Sequence, residues 1–299
     1  MKLDTSPEAL FQPGDAADHF RGRPDADAAR LFDAPATFAL ETAWWLAELA
    51  RLSYRKGAEE GVSASPTRGE ILARVGLREE LFLARGSARA MVVRPIRGAG
   101  AVLAFRGTDQ PRDWLANVDA MLAPTGREDL PGLVHKGFRE AFESVRDELE
   151  PALSGPGPWL FTGHSLGAAL ATLAAARHKP AALYTFGSPR VGTGAFAAAL
   201  GGRPVYRIVN ARDVVTSVPL PLAGVGFEHL GELIYFTTAG ELRRDPPETA
   251  VVFDRLLWER AVIRAGDARA FTDLPKFLTD HAAVNYTTLL LRALRARQG

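Results

Sequence analysis

The run Trp159-Leu160-Phe161-Thr162-Gly163-His164-Ser165-Leu166-Gly167-Ala168-Ala169-Leu170 decides how this chain is read. It opens as an apolar strand-like segment, passes through a Gly-x-Ser-x-Gly pentapeptide, and continues into Ala168 to Ala176, which has strong helix propensity. Strand, tight turn and helix in that order put Ser165 on a sharp reversal. Its hydroxyl would stand clear of a sheet, with the first helical N–H groups pointing into the same space. Gly163 and Gly167 lack a Cβ, so strand and helix can pass closely. The bare pentapeptide also arises in ordinary Gly-rich turns, and its flanks are what carry the reading. A membrane span over Trp159 to Ala176 is the competing explanation for so much apolar sequence. His164, Ser165 and the two glycines favour a buried strand followed by a buried helix.

Outward from that stretch, 299 residues suit one large α/β domain or two small ones, and one is expected. An apolar content of 47% and a charged content of 24% are ordinary for a soluble globular protein. The formal net charge of +1 provides no basic excess to neutralise phosphates, so no nucleic-acid partner is expected. With no cysteine, disulfides, thiolate catalysis and cysteine-bound metal are excluded. No cofactor or metal is expected; the carboxylates show no calcium-loop spacing, and calcium dependence and oligomeric state are left open. Met1-Lys2-Leu3-Asp4-Thr5-Ser6-Pro7-Glu8 is acidic and has no apolar signal core, making cytoplasm the default, although a mature secreted form would look the same.

Residues 1–35 show no sustained period and are expected to form an irregular arm on a domain spanning 36–299. Thr37 is the candidate cap of a helix to about Tyr54, in which the pair Trp44-Trp45 reads as core rather than as a substrate groove. A second helix is expected over Thr67 to Val75, and strands over Ala90 to Arg94 and Ala101 to Phe105. Gln110 to Leu122 has the look of a short amphipathic segment that could act as a lid or pack as a plain surface helix. Gly137 to Leu149 is a clear amphipathic helix. Ala181 to Phe186, Pro204 to Val209 and Leu233 to Thr238 read as strands, with helices over Ala250 to Arg264 and from His281 to about Arg295. Alternating strands and helices imply a mostly parallel sheet covered on both faces.

A serine hydroxyl needs a base, and the base needs an orienting carboxylate. Asp213 lies just beyond a strand end, where such groups collect in open parallel sheets. Asp245, Asp254, Asp267 and Asp273 fall in polar or helical stretches and are read as solvated. Among six histidines, His19 lies in the arm, His135 has the wrong chain order, His164 is tied to the turn, and His178 ends a helix facing solvent. His229 and His281 remain, and His281 is favoured because a loop can present it at the start of the last helix. The oxyanion of a tetrahedral intermediate needs two N–H donors, which Leu166 and the Gly107-Thr108 turn are placed to supply.

Phe105-Arg106-Gly107-Thr108, His135-Lys136-Gly137-Phe138, Gly163-His164-Ser165-Leu166-Gly167-Ala168-Ala169-Leu170, Thr185-Phe186-Gly187-Ser188-Pro189-Arg190-Val191-Gly192 and Val209-Asn210-Ala211-Arg212-Asp213 recur in one order. With them the sequence resembles the class 3 (fungal-type) triacylglycerol lipases, from about Ala90 to Tyr286. The resemblance implies a single-domain α/β-hydrolase fold with nucleophile Ser165, acid Asp213, base His281, oxyanion donors Thr108 and Leu166, and a structural His229. It further implies a lid near 109–122 whose Trp114, Leu115 and Val118 meet substrate, and transient contact with a lipid interface. The expected activity is hydrolysis of acyl glycerol esters through an acyl-enzyme. Phospholipase A1 or general carboxylesterase action on the same triad is the alternative, and an inactive binding protein on the same fold is the alternative of another class.

Overall fold

Near-continuous apolar runs give the central strands of this chain two buried faces, and the fold follows from covering both. The computed structural model describes residues 3–4, 9, 14–15, 18–22, 28–33, 36–108, 121–219, 226–264 and 279–297. In chain order come α1 (Leu40–Leu52), α2 (Arg68–Ala73), β1 (Leu77–Arg85), β2 (Ala88–Pro95) and β3 (Ala101–Phe105). Next are β4 (Leu122–Pro124), β5 (Leu133–His135), α3 (Lys136–Leu153), β6 (Trp159–His164) and α4 (Leu166–His178). They are followed by β7 (Ala182–Phe186), β8 (Gly192–Thr193), α5 (Gly194–Ala199), β9 (Val205–Asn210) and β10 (Phe227–Glu228). The last are β11 (Glu232–Phe236), β12 (Leu242–Arg244), α6 (Glu248–Arg264) and α7 (Ala283–Ala296).

The main sheet runs β1-β2-β3-β6-β7-β9-β11-β12. Its centre, β3 through β11, pairs in parallel, while β1, β2 and β12 add antiparallel edges. Alternation along β3 shows the logic. Val102 and Ala104 join a core with Trp44, Trp45, Leu289 and Leu290, so α1 and α7 cover that face. Leu103 and Phe105 join Phe142, Val145 and Leu170, so α3 and α4 cover the other. Trp44 and Trp45 are core, at 0% and 1% exposure. No helix among the described residues is long and apolar enough to cross a membrane.

Several boundaries differ from expectation. Thr37 does not cap α1, which starts at Leu40 after Ala39; its carbonyl instead accepts a hydrogen bond from the Tyr184 hydroxyl at 3.2 Å. β1 was not anticipated, because a register shift between Glu79 and Leu81 breaks its alternation. A second sheet, β10-β8-β5-β4, was also missed, since strands of two or three residues carry no period. Asp254 is not merely solvated: it accepts hydrogen bonds from the Tyr235 and Thr238 hydroxyls and the Thr238 N–H, fastening α6 to β11. His178 is half-buried against Phe161 rather than facing solvent.

Trp44→Ala should lower the unfolding free energy by about 3–5 kcal/mol, the usual cost of emptying a large aromatic site. Phe253→Ala, on a side chain that is 61% exposed, should change it by less than about 0.5 kcal/mol. Denaturant titration of both variants checks the core assignment, and equal costs would contradict it.

Candidate active site

The site begins where β6 stops. Ser165 stands alone between β6 and α4 with φ 59° and ψ −128°, a left-handed φ that a non-glycine residue adopts only when its surroundings enforce it. Its N–H donates to the Phe186 carbonyl at 3.0 Å, and its own carbonyl accepts from Ala168 at 2.9 Å. A Cβ on Gly163 would sit 2.2 Å from the Gly167 carbonyl oxygen, and one on Gly167 would sit 2.2 Å from that of Phe105. Both glycines are therefore required, and their close passage brings the end of β3 over the turn. A Cβ on Gly107 would lie 2.9 Å from Ser165 Cβ, so the chain leading into Thr108 runs against the serine. Leu166 opens α4, where its N–H has no carbonyl four residues back to bond.

Asp213 follows β9 and caps the short turn Val214–Ser217 through a bond from the Val215 N–H to its Oδ1 at 2.9 Å. Its Oδ2 accepts from His281 Nδ1 at 2.8 Å and from the Tyr286 hydroxyl at 2.5 Å. The carboxyl is 1% exposed. Burial pushes its pKa up, but the His281 ring and the Tyr286 hydroxyl outweigh that and hold it below the ordinary range. A Cβ on Gly187 would meet Asp213 Oδ2 at 2.6 Å and His281 Nδ1 at 2.9 Å, so this glycine leaves room for the pair.

His281 precedes α7, and its backbone is tied down from several sides. Asn210 Nδ2 donates to the neighbouring Asp280 carbonyl at 2.9 Å, and Arg212 pairs with the Asp280 carboxylate. The sequence reading did not find the third tie. His164 Nε2 donates to the His281 carbonyl at 2.6 Å, while His164 Nδ1 accepts from the Tyr54 hydroxyl at 2.7 Å. A carbonyl can only accept, which fixes the His164 tautomer by its network. Burial, reinforced by the His281 ring, lowers the His164 pKa to about 3, so it stays neutral. The rings of His164 and His281 lie 4.5 Å apart between centroids.

Ser165 Oγ and His281 Nε2 are both sealed from solvent and have no hydrogen-bond partner among the described residues. Each is the atom that the serine-base arrangement needs free, and catalytic hydrogen bonds are commonly loose before substrate binds. The other histidines lie elsewhere. His229 Nε2 donates to the Thr216 carbonyl at 2.8 Å, and His135 caps α3 through Nδ1 at 3.4 Å from the Phe138 nitrogen. Trp114, Leu115 and Val118 lie outside the described residues. Among the described residues, no group of three or more His, Asp or Glu side chains is arranged to hold a metal. Tyr286, Tyr54 and His164 as a tether were missed, because a hydroxyl or ring at helical spacing carries no sequence signal for its partner.

Residues 102–222 match the family described as Lipase (class 3). The phospholipase A(1) DAD1 of Arabidopsis thaliana is 38% identical over 149 residues, 40% of this chain and 33% of that one. A secreted mono- and diacylglycerol lipase of Fusarium solani is 33% identical over 162 residues, 48% of this chain and 46% of that one. The structure of the Rhizomucor miehei triacylglyceride lipase superposes with a TM-score of 0.55 at 25% identity, covering 69% of this chain and 83% of that one. The chain spans from about a third to just under two thirds of the length of the curated relatives it matches.

Because His164 is held near 3 in the fold against about 6.5 when unfolded, the unfolded chain gains a proton below pH 6.5 that the fold refuses. Stability should therefore fall on acidification between those values, with His164 contributing about 1.4 kcal/mol per pH unit. His164→Gln should remove that share of the slope in unfolding titrations at pH 7, 5.5 and 4.5. Tyr286→Phe takes one donor from Asp213 and should raise its carboxyl pKa, shifting the acid limb of any activity profile to higher pH.

Proposed function

We propose that this chain, which residues 102–222 make a member of the class 3 lipase family, is a serine ester hydrolase of the triacylglycerol lipase type. Ser165 is the nucleophile, His281 the base and Asp213 the residue that orients it. The observation that carries this reading is the pairing of a buried Asp213 to His281 Nδ1, with His281 Nε2 and Ser165 Oγ both unpartnered among the described residues. His281 Nε2 takes the hydroxyl proton as Ser165 attacks the acyl carbonyl, then returns it to the departing alcohol; water repeats the cycle on the acyl-enzyme. The Leu166 N–H and the Thr108 turn carry the oxyanion.

The lid in this proposal lies near 109–122, ending where β4 begins at Leu122, with Trp114, Leu115 and Val118 as its substrate-binding residues. Direct continuation of that segment from Thr108 supports it. The domain covers 36–299 with 1–35 as an arm, which the burial of Phe20, Ala28 and Leu31 in the α1 core supports. Transient contact with a lipid interface goes with a lid-gated site. The name of the Fusarium relative supports export rather than the cytoplasmic default. The Arabidopsis relative, a phospholipase A(1), favours a second reading in which the same triad cleaves an acyl bond of a phospholipid.

Ser165→Ala should lower hydrolysis of a p-nitrophenyl ester by about 10³-fold or more while the melting temperature stays near that of the parent. Retained hydrolysis would overturn the nucleophile. Initial rates on triacylglycerol and on phosphatidylcholine separate the two substrate readings, and a rate that rises when the ester forms micelles supports the lid.

A further inference from the structure

One face of β9 carries Val205, Arg207 and Val209, and the middle residue breaks an otherwise apolar series. Arg207 opens onto a cavity of about 530 Å³ between the β9/β11 face and α6. Arg190, from the loop after β7, and Arg255, from α6, line the same space. Arg190 donates to the Ser217 and Pro219 carbonyls at 2.5 and 3.1 Å. Arg255 donates to the hydroxyls of Ser217 and Thr216, both at the long distance of 3.4 Å, and lies against the Tyr235 hydroxyl. The Arg207 side chain makes no hydrogen bond or contact ion pair with any described residue, and the Nε atoms of Arg207 and Arg255 are sealed from solvent with no partner among the described residues. Glu228, Asp245 and Glu248 lie on the walls; Asp245 attracts Arg207 and Glu248 attracts Arg190, yet among the described residues none of the three carboxylates makes a contact ion pair with these arginines.

Three guanidinium groups around one cavity repel one another, and desolvation adds to the cost. Burial, followed by Arg190 and Arg255, pulls Arg207 down to about 10, and burial and the Arg207 charge push His229 well below its ordinary value. An anion relieves both effects. A guanidinium fork matches carboxylate or phosphate oxygens in pairs. The volume exceeds what a lone ion requires, since a water occupies about 30 Å³, and Val209, Leu233, Val251 and Val252 supply an apolar wall.

We propose that this cavity binds an oxyanion, a carboxylate or phosphate head carrying a hydrocarbon chain, with the head on Arg207 and Arg255 and the chain along the Val209 and Val251 wall. The site stands apart from Ser165 but is not isolated from Asp213. Thr216 Oγ1, which Arg255 contacts, donates to the Asp213 carbonyl at 2.8 Å, so an occupant bears on the turn that carries Asp213. A fatty-acid carboxylate has this chemistry; naming it as the reaction's own product is the one step that rests on the lipase reading.

The test uses full-length Ser165→Ala protein, which measures binding without requiring hydrolysis, titrated calorimetrically with monomeric decanoate and, separately, inorganic phosphate. Decanoate should bind and raise the melting temperature. Arg207→Gln should weaken it at least tenfold while the unliganded variant melts no lower than its parent, because repulsion is relieved. Arg255→Gln, changed on the helix rather than in the sheet, should weaken it comparably and guards against misfolding of the strand variant. Phosphate binding with the same arginine dependence, without decanoate binding, would overturn the hydrocarbon part. Decanoate binding that survives both substitutions, or binding of neither probe, would overturn the site.

Discussion

A carboxylate withdrawn from water must find its hydrogen bonds in the protein, and Asp213 sets that demand for the whole site. It is met by three donors from three places: the Val215 N–H in its own turn, the Tyr286 hydroxyl on α7, and His281 Nδ1 just before α7. Satisfying the carboxylate thus docks the last helix against the end of β9. The same bond places the imidazole proton on Nδ1, which leaves Nε2 as the basic atom. Removing either donor would leave a buried charge short of a partner, a costlier change than the loss of one surface contact.

The opposite half of the site is fixed by absence of side chain rather than by charge. Gly163, Gly167, Gly107 and Gly187 each stand where a Cβ would collide with backbone, with the serine or with the Asp213–His281 pair. Close approach lets a serine with positive φ face an imidazole delivered from 116 residues later in the chain, at position 281. His164 joins the halves: it belongs to the turn, is neutral, and grips the His281 carbonyl while Tyr54 holds its far nitrogen. A residue whose neighbour in sequence is Ser165 therefore tethers His281.

Most of this was legible in the sequence wherever the signal was local. The elbow, the parallel strands around it and the amphipathic α3 follow from apolar spacing and glycine placement, and Asp213 followed from its position beyond a strand. His281 emerged because the other histidines had poorer settings. What stayed hidden depends on distant partners. Tyr286, Tyr54 and the Asp254 anchor are polar residues whose roles are defined by what faces them. β1 hid because its bulge scrambles alternation, and Arg207 because its neighbours in β9 read as an ordinary buried strand.

The central claim is that Asp213-oriented His281 makes the Ser165 hydroxyl nucleophilic, and the rate of covalent capture by a fluorophosphonate probe tests it most directly. Mapped by mass spectrometry, the label should fall on Ser165, and labelling of a folded His281→Ala protein should slow by orders of magnitude. Label on another residue, or capture at the parent rate without the imidazole, would contradict the account.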